Sequence, residues 1–182
     1  MLQYAIQVAL QAHSTQKRKG TELPYIIHPM EVGIILAENG ASQDVIIAGI
    51  LHDTIEDTEL SKEDIERMFG THIMELVAGA SESNRNVPGV TWEERKQHTI
   101  DYLKTADKEV QMIACADKLS NMRSIDKDYK DVGEKLWDRF NAGYEKQKWY
   151  YTSLMKSLKL LSLGEYKTFY EFCDKVNSVF SR

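Results

Sequence analysis

Residues 45–51 are apolar without interruption, and the run ends directly in His52 and Asp53. With an N-cap-type aspartate, Asp44, in front of it, the stretch reads as one buried helix over 44–57. A buried helix that carries an imidazole and a carboxylate must find partners for both. Residues four apart share a helical face, so Glu56 is expected to stack over His52 and Asp57 over Asp53. The fold is therefore constrained to wrap apolar helices around a polar spot.

Two further residues fit that spot. His28 precedes Pro29, and Asp117 sits on a stripe with Val110, Ile113 and Asn121 at three- and four-residue spacing. Alone, each has a plainer reading: His28 closes a turn, and Asp117 pairs with a lysine or arginine. Together with His52 and Asp53 they make a nitrogen and oxygen set suited to manganese, iron, zinc or nickel, with no thiolate. A divalent metal there would lower the pKa of water from about 15.7 toward 7. Glu56 and Asp57, one turn on, are then candidates to orient that water and take its proton. Two acids at a helix C-terminus, followed by Glu59, oppose the helix dipole unless a cation lies near.

Helical punctuation runs through the chain. Pro29 suits the first turn of a helix ended by Gly40, Ser61 with Asp64 opens a helix closing at Phe69-Gly70, and Thr91 with Glu94 forms a capping box. A long helix is predicted over 131–163. A final amphipathic helix is predicted over 166–180, with Phe169, Phe172, Cys173, Val176 and Phe180 inward. Strand-like alternation is absent, so the predicted fold is an all-α, single-domain bundle over 1–182, of roughly eight to ten helices. The polar stretch 81–89 reads as a loop whose only cation is Arg85.

A formal net charge of −5 and a pI near 5.6 argue against a nucleic-acid surface. No run approaches the roughly 18 apolar residues of a membrane span, and no leader-type segment opens the chain, so a cytoplasmic protein is expected. Cys115 and Cys173 lie in apolar helical contexts and read as buried thiols rather than a disulfide. His13, near Ala5, Ile6 and Ala9, reads as a core histidine or one supporting the site. The cluster of Tyr144, Trp149, Tyr150 and Tyr151 reads as core or as the wall of a ligand pocket.

The segments Ala12-His-Ser-Thr-Gln-Lys-Arg-Lys-Gly20, Pro24-Tyr-Ile-Ile-His-Pro29, Ala48 to Thr58, Phe69-Gly70 and Ala116-Asp-Lys-Leu-Ser-Asn-Met-Arg123 occur in one order. In that order they resemble the hydrolase domain of RelA/SpoT-type alarmone enzymes, within the HD phosphohydrolase superfamily. The resemblance implies an HD-type bundle and manganese-dependent removal of pyrophosphate from the 3′ position of guanosine tetra- or pentaphosphate (ppGpp, pppGpp), a reaction of the stringent response. It implies His28, His52, Asp53 and Asp117 as metal ligands and Glu56 and Asp57 as the acidic pair serving the attacking water. It also implies nucleotide contacts from Arg18, Lys19, Asn121, Lys146 and Tyr150. The expected partner is a small nucleotide, not a nucleic acid or a membrane, and the oligomeric state stays open.

The chain departs from the long enzymes in three places. It has one residue more between Arg18 and His28, Ser81-Glu82 where they carry Thr-Lys, and Lys118 and Ser120 where they carry arginine and histidine. None of these removes a metal ligand. They leave open an adenosine alarmone (ppApp) or another 2′- or 3′-phosphorylated nucleotide such as NADPH. A nucleotide-binding sensor that does not hydrolyse and a general HD nucleotidase are the remaining alternatives.

Overall fold

Ala5 and Ala9 are the buried residues of the first helix, α1 (Leu2–Ala12), and their small side chains let its backbone approach the apolar run after residue 44. The computed structural model describes residues 1–82, 87–164 and 166–181. α2 (Ile27–Glu38) carries Pro29 in its first turn, and the chain leaves it through Gly40 at φ 72°. α3 (Gln43–Leu51) is packed against α2 and buries Val45, Ile47, Ala48, Gly49, Ile50 and Leu51. The crossing is close because glycines face side chains in both directions. A Cβ on Gly33 would lie 2.6 Å from Ile50 Cγ1, and one on Gly49 would lie 2.3 Å from Leu36 Cδ1.

The single helix expected over 44–57 is two. Ser42, not Asp44, caps it, its Oγ accepting from the Val45 N–H. α3 stops at Leu51 because side chains take its last carbonyls. His52 Nδ1 lies 2.8 Å from the Gly49 carbonyl, Thr54 Oγ1 donates to the Leu51 carbonyl at 2.7 Å, and Ser81 Oγ donates to the His52 carbonyl at 3.0 Å. A four-residue turn, α4 (Thr54–Asp57), follows.

α5 (Lys62–Phe69) and α7 (Trp92–Leu103) each begin with the capping box expected of them, Ser61 with Asp64 and Thr91 with Glu94. Between them α6 (Thr71–Ala80) packs on α5 and α3. α8 (Lys108–Val132) is the 25-residue spine, with Ile113, Cys115, Ala116, Leu119 and Met122 buried along it. The long helix predicted over 131–163 is broken. Gly133, at φ 61°, turns the chain into a 3-10 helix (Gly133–Arg139), after which come α9 (Tyr144–Ser157) and the short α10 (Lys159–Ser162). α11 (Lys167–Phe180) lies along α8 and buries Phe169, Phe172, Val176 and Phe180, with Cys173 half-buried.

Among the described residues the fold is all-α, with no strand beyond an isolated antiparallel bridge between Lys17 and Pro24. Nine of its α-helices are eight residues or longer, inside the predicted range, and two are four-residue turns. No helix among these residues is long and apolar enough to cross a membrane.

Candidate metal centre and pocket

Three helices deliver the polar spot. His28 comes from the first turn of α2, His52 and Asp53 from the break after α3, and Asp117 from the middle of α8. Ligand atoms of His28, His52 and Asp53 lie within 4.8 Å of one another. Asp117 Oδ1 sits 3.1 Å from His28 Nε2 and 3.7 Å from His52 Nε2. Asp53 Oδ2 sits 3.1 Å from His52 Nε2 and 3.7 Å from His28 Nε2. Four donor atoms therefore converge from residues separated by up to 89 positions, His28 to Asp117.

The hydrogen bonds around the donors suit a cation. His52 Nδ1 is committed to a backbone carbonyl, so Nε2 is the atom left to face the Asp53 and Asp117 carboxylates. That Nε2 is buried without a hydrogen-bond partner among the described residues, a state that costs about 1–3 kcal/mol unless something positive meets it. Burial opposes charge on His52, but the Asp53 and Asp117 carboxylates outweigh it and lift its pKa to about 9. The spot thus draws in a positive charge. Burial holds the His28 pKa below the ordinary histidine value, which keeps that ring neutral as a ligand must be. Burial also works against the Asp53 charge, yet His52 beside it keeps the carboxyl below the usual range. The residues fit a divalent metal.

Further side chains hold the donors from behind. The Tyr25 hydroxyl donates to Asp53 Oδ2, and burial together with that carboxylate raises its pKa, so it stays a donor. Asn121 Nδ2 donates to Asp117 Oδ1 at 2.7 Å, while Lys118 donates to Asp117 Oδ2. Burial disfavours the Lys118 ammonium, but Asp117 holds its pKa above the ordinary value. Arg18 Nη2 reaches Asn121 Oδ1 at 3.1 Å and Ser124 Oγ at 3.4 Å, which ties the N-terminal basic segment to α8.

A cavity of about 500 Å³ opens on the cluster, lined among others by Asp53, Glu56, Asp57, Asp117, Asn121 and Tyr150. Glu56 Oε1 accepts the backbone N–H of Glu82. Behind the acidic pair, His13 is buried with Nδ1 2.8 Å from Gln16 Oε1, and Gln16 Nε2 donates to the Asp57 carbonyl at 2.5 Å. The helix dipole opposes Glu56 and Asp57 only weakly, because both belong to one four-residue turn after Asp53 rather than to the end of a long helix.

Of the proposed nucleotide contacts, the fold gathers Asn121 and Tyr150 at the cavity and sets Arg18 on Asn121. Lys19 points elsewhere, its Nζ 5.8 Å from the Phe140 ring centroid, and Lys146 pairs with Glu93; neither lines the cavity. Arg85 lies outside the described residues. Two further cations do line it: Lys118, one of the positions where the chain departs from the long enzymes, and Lys96, which no sequence motif marked. Lys96 Nζ donates to Glu82 Oε2 at 3.0 Å and lies 5.1 Å from the Tyr150 ring centroid. The four-residue spacing of Trp92 and Lys96 on a capped helix, which places the ammonium 6.0 Å from the indole, was the available signal. The Tyr150 hydroxyl is buried with no hydrogen-bond partner among the described residues.

Residues 5–142 match the HD domain family. Over 124 residues, 68% of this chain, it is 39% identical to a GTP pyrophosphokinase of Streptomyces coelicolor, covering 14% of that protein. It is 38% identical over 125 residues to a guanosine-3′,5′-bis(diphosphate) 3′-pyrophosphohydrolase of Aquifex aeolicus, covering 68% of this chain and 18% of that protein. The chain thus spans less than a fifth of the length of these curated relatives. Among solved structures, a Listeria monocytogenes EGD-e protein superposes with a TM-score of 0.74 at 34% identity, over 85% of this chain and 99% of that one. A metazoan ortholog of SpoT, described as hydrolysing ppGpp, shares the fold with a TM-score of 0.77 at 24% identity, over 97% of this chain and 93% of that one.

Proposed function

The chain belongs to the HD domain family, and from that premise we propose that it is a metal-dependent phosphohydrolase acting on the 3′-pyrophosphate of ppGpp and pppGpp. The observation that carries the reading is the convergence of His28, His52, Asp53 and Asp117 on a cavity that also holds Glu56 and Asp57. The substrate class follows the Aquifex relative, whose name specifies that bond.

In this reading His28, His52, Asp53 and Asp117 hold a divalent cation, manganese before others. When bound, the cation supplies Lewis acidity toward water and toward the phosphate oxygens. One carboxylate of the Glu56-Asp57 pair accepts the proton of the attacking water, and the Glu82 N–H keeps the Glu56 carboxylate turned to the cavity. The bond between phosphorus and the ribose 3′-oxygen breaks, that oxygen takes up a proton, and GDP or GTP leaves with pyrophosphate. Lys118, Lys96 and Arg18 offset the charge of the phosphates, and Asn121 links Arg18 to the Asp117 carboxylate. Tyr150 offers the nucleotide a hydroxyl that makes no hydrogen bond among the described residues. Residues 1–182 acting as one HD unit, and a cytoplasmic setting where such nucleotides occur, belong to the same proposal.

The test is product analysis by anion-exchange chromatography after incubation of the manganese-loaded protein with ppGpp, ppApp and NADPH in turn. Pyrophosphate with GDP from ppGpp is expected. Turnover of ppApp or NADPH alone would reassign the substrate, and tight binding of ppGpp without turnover would make the protein a sensor.

A further inference from the structure

The two histidines of the cluster are oriented by different means. His52 is held by its own helix, through the Gly49 carbonyl three residues back. His28 has no such local partner; its Nδ1 lies 2.8 Å from Ser120 Oγ on α8, 92 residues away, and Ser120 is fully buried.

Ser120 has one proton, and it goes elsewhere. Its Oγ donates to Glu31 Oε2 at 2.8 Å. Glu31 Oε1 faces Arg123 Nη1 at 3.2 Å, and a carboxylate paired with a guanidinium accepts protons in hydrogen bonds rather than giving them. Toward His28, then, Ser120 can only accept, so the hydrogen of a neutral His28 ring sits on Nδ1 and the lone pair on Nε2. Nε2 is the atom that faces Asp117 and Asp53. Arg123 in turn grips both carboxylate oxygens of Glu171 on α11, Nε at 2.8 Å and Nη2 at 3.0 Å. The chain of bonds runs from the cavity floor to the last helix.

We propose that Ser120 and Glu31 are positioning residues that set the His28 tautomer for metal binding, with Arg123 and Glu171 anchoring them to α11. A hydroxyl can pass either hydrogen-bond polarity; Glu31 decides which one it passes. The inference rests on His28 being a metal donor, as proposed above. The direction of the relay is specific to this chain's serine, since the hydroxyl is what couples the imidazole to the carboxylate.

The tautomer is read first on the metal-free wild-type protein by long-range ¹H–¹⁵N correlation of its histidine side chains. A protonated Nδ1 on His28 is expected; a ring carrying its hydrogen on Nε2 alone overturns the proposal without any variant. Manganese affinity is then measured by calorimetry, with the metal alone, for wild type, Ser120→Ala, Ser120→Thr and Glu31→Gln. Loss of a hydrogen-bond partner that orients a metal-ligating histidine costs about 10- to 100-fold in metal affinity. Ser120→Ala and Glu31→Gln are expected to fall in that range and Ser120→Thr, which keeps the hydroxyl, to stay within a few fold of wild type. Wild-type affinity in Ser120→Ala, or equal losses in the alanine and threonine variants, overturns the relay. A wild-type protein that binds no manganese while showing the expected tautomer would instead overturn the metal assignment.

Discussion

The backbone N–H of Glu82 donates to Glu56 Oε1, so the exit of α6 holds a carboxylate of the acidic pair from 26 residues away. The same Glu82 side chain holds Lys96 at 3.0 Å, which couples one candidate base to one candidate phosphate contact.

Glu56→Ala and Asp57→Ala should each retain metal while at least one of them loses turnover by about 10²- to 10⁴-fold, the range for a general base. Metal content by atomic emission, measured beside kcat, checks this. Loss of metal in either variant would place that residue among the ligands.

Asp117→Ala removes one donor and leaves Lys118 beneath the site without its counter-charge. Breaking a buried pair in this way costs about 3–5 kcal/mol, so the melting temperature should fall together with metal content. Unchanged values of both would contradict the ligand assignment.

Tyr150→Phe separates binding from stability. The hydroxyl has no hydrogen-bond partner among the described residues, so its removal should leave the melting temperature unchanged or slightly higher. One hydrogen bond to the nucleotide, worth about 0.5–1.5 kcal/mol, predicts a KM raised roughly threefold to tenfold. A drop in stability with unchanged KM would make Tyr150 a core residue only.

Asp126 gives a pH dependence remote from the metal ligands. It is 3% exposed and bonded by Lys130 at 2.9 Å and Lys175 at 3.0 Å, and although burial opposes its charge these lysines bring its pKa down to about 2. A carboxyl depressed in the folded state contributes stability above its ordinary value near 3.8 and loses it as pH falls toward 2. With the lysines partly in solvent, the contribution is about 1–2 kcal/mol. Denaturant melts of wild type and Asp126→Asn should converge across that window and differ above it.

Much of this was legible because it is local. The capping boxes at Ser61 and Thr91 depend on residues three apart, and a polar pair ending an apolar run marks His52 and Asp53 wherever the chain goes. The end of α3 was not legible, because one of the side chains taking its carbonyls is Ser81, 29 residues on. Gly133 breaks the predicted 131–163 helix through a positive φ that helical periodicity does not register. Which cations line the cavity was not legible for a similar reason. Lys146 meets Glu93 across α7 and α9, while Lys96 becomes a lining residue only once Tyr150 is packed beside it.

The most direct test of the account is ³¹P NMR of ppGpp turnover by the manganese-loaded protein in ¹⁸O-water. The account predicts pyrophosphate and GDP in equal amounts, with the isotope in pyrophosphate and none in GDP. Release of orthophosphate, or isotope in the nucleotide, would contradict it.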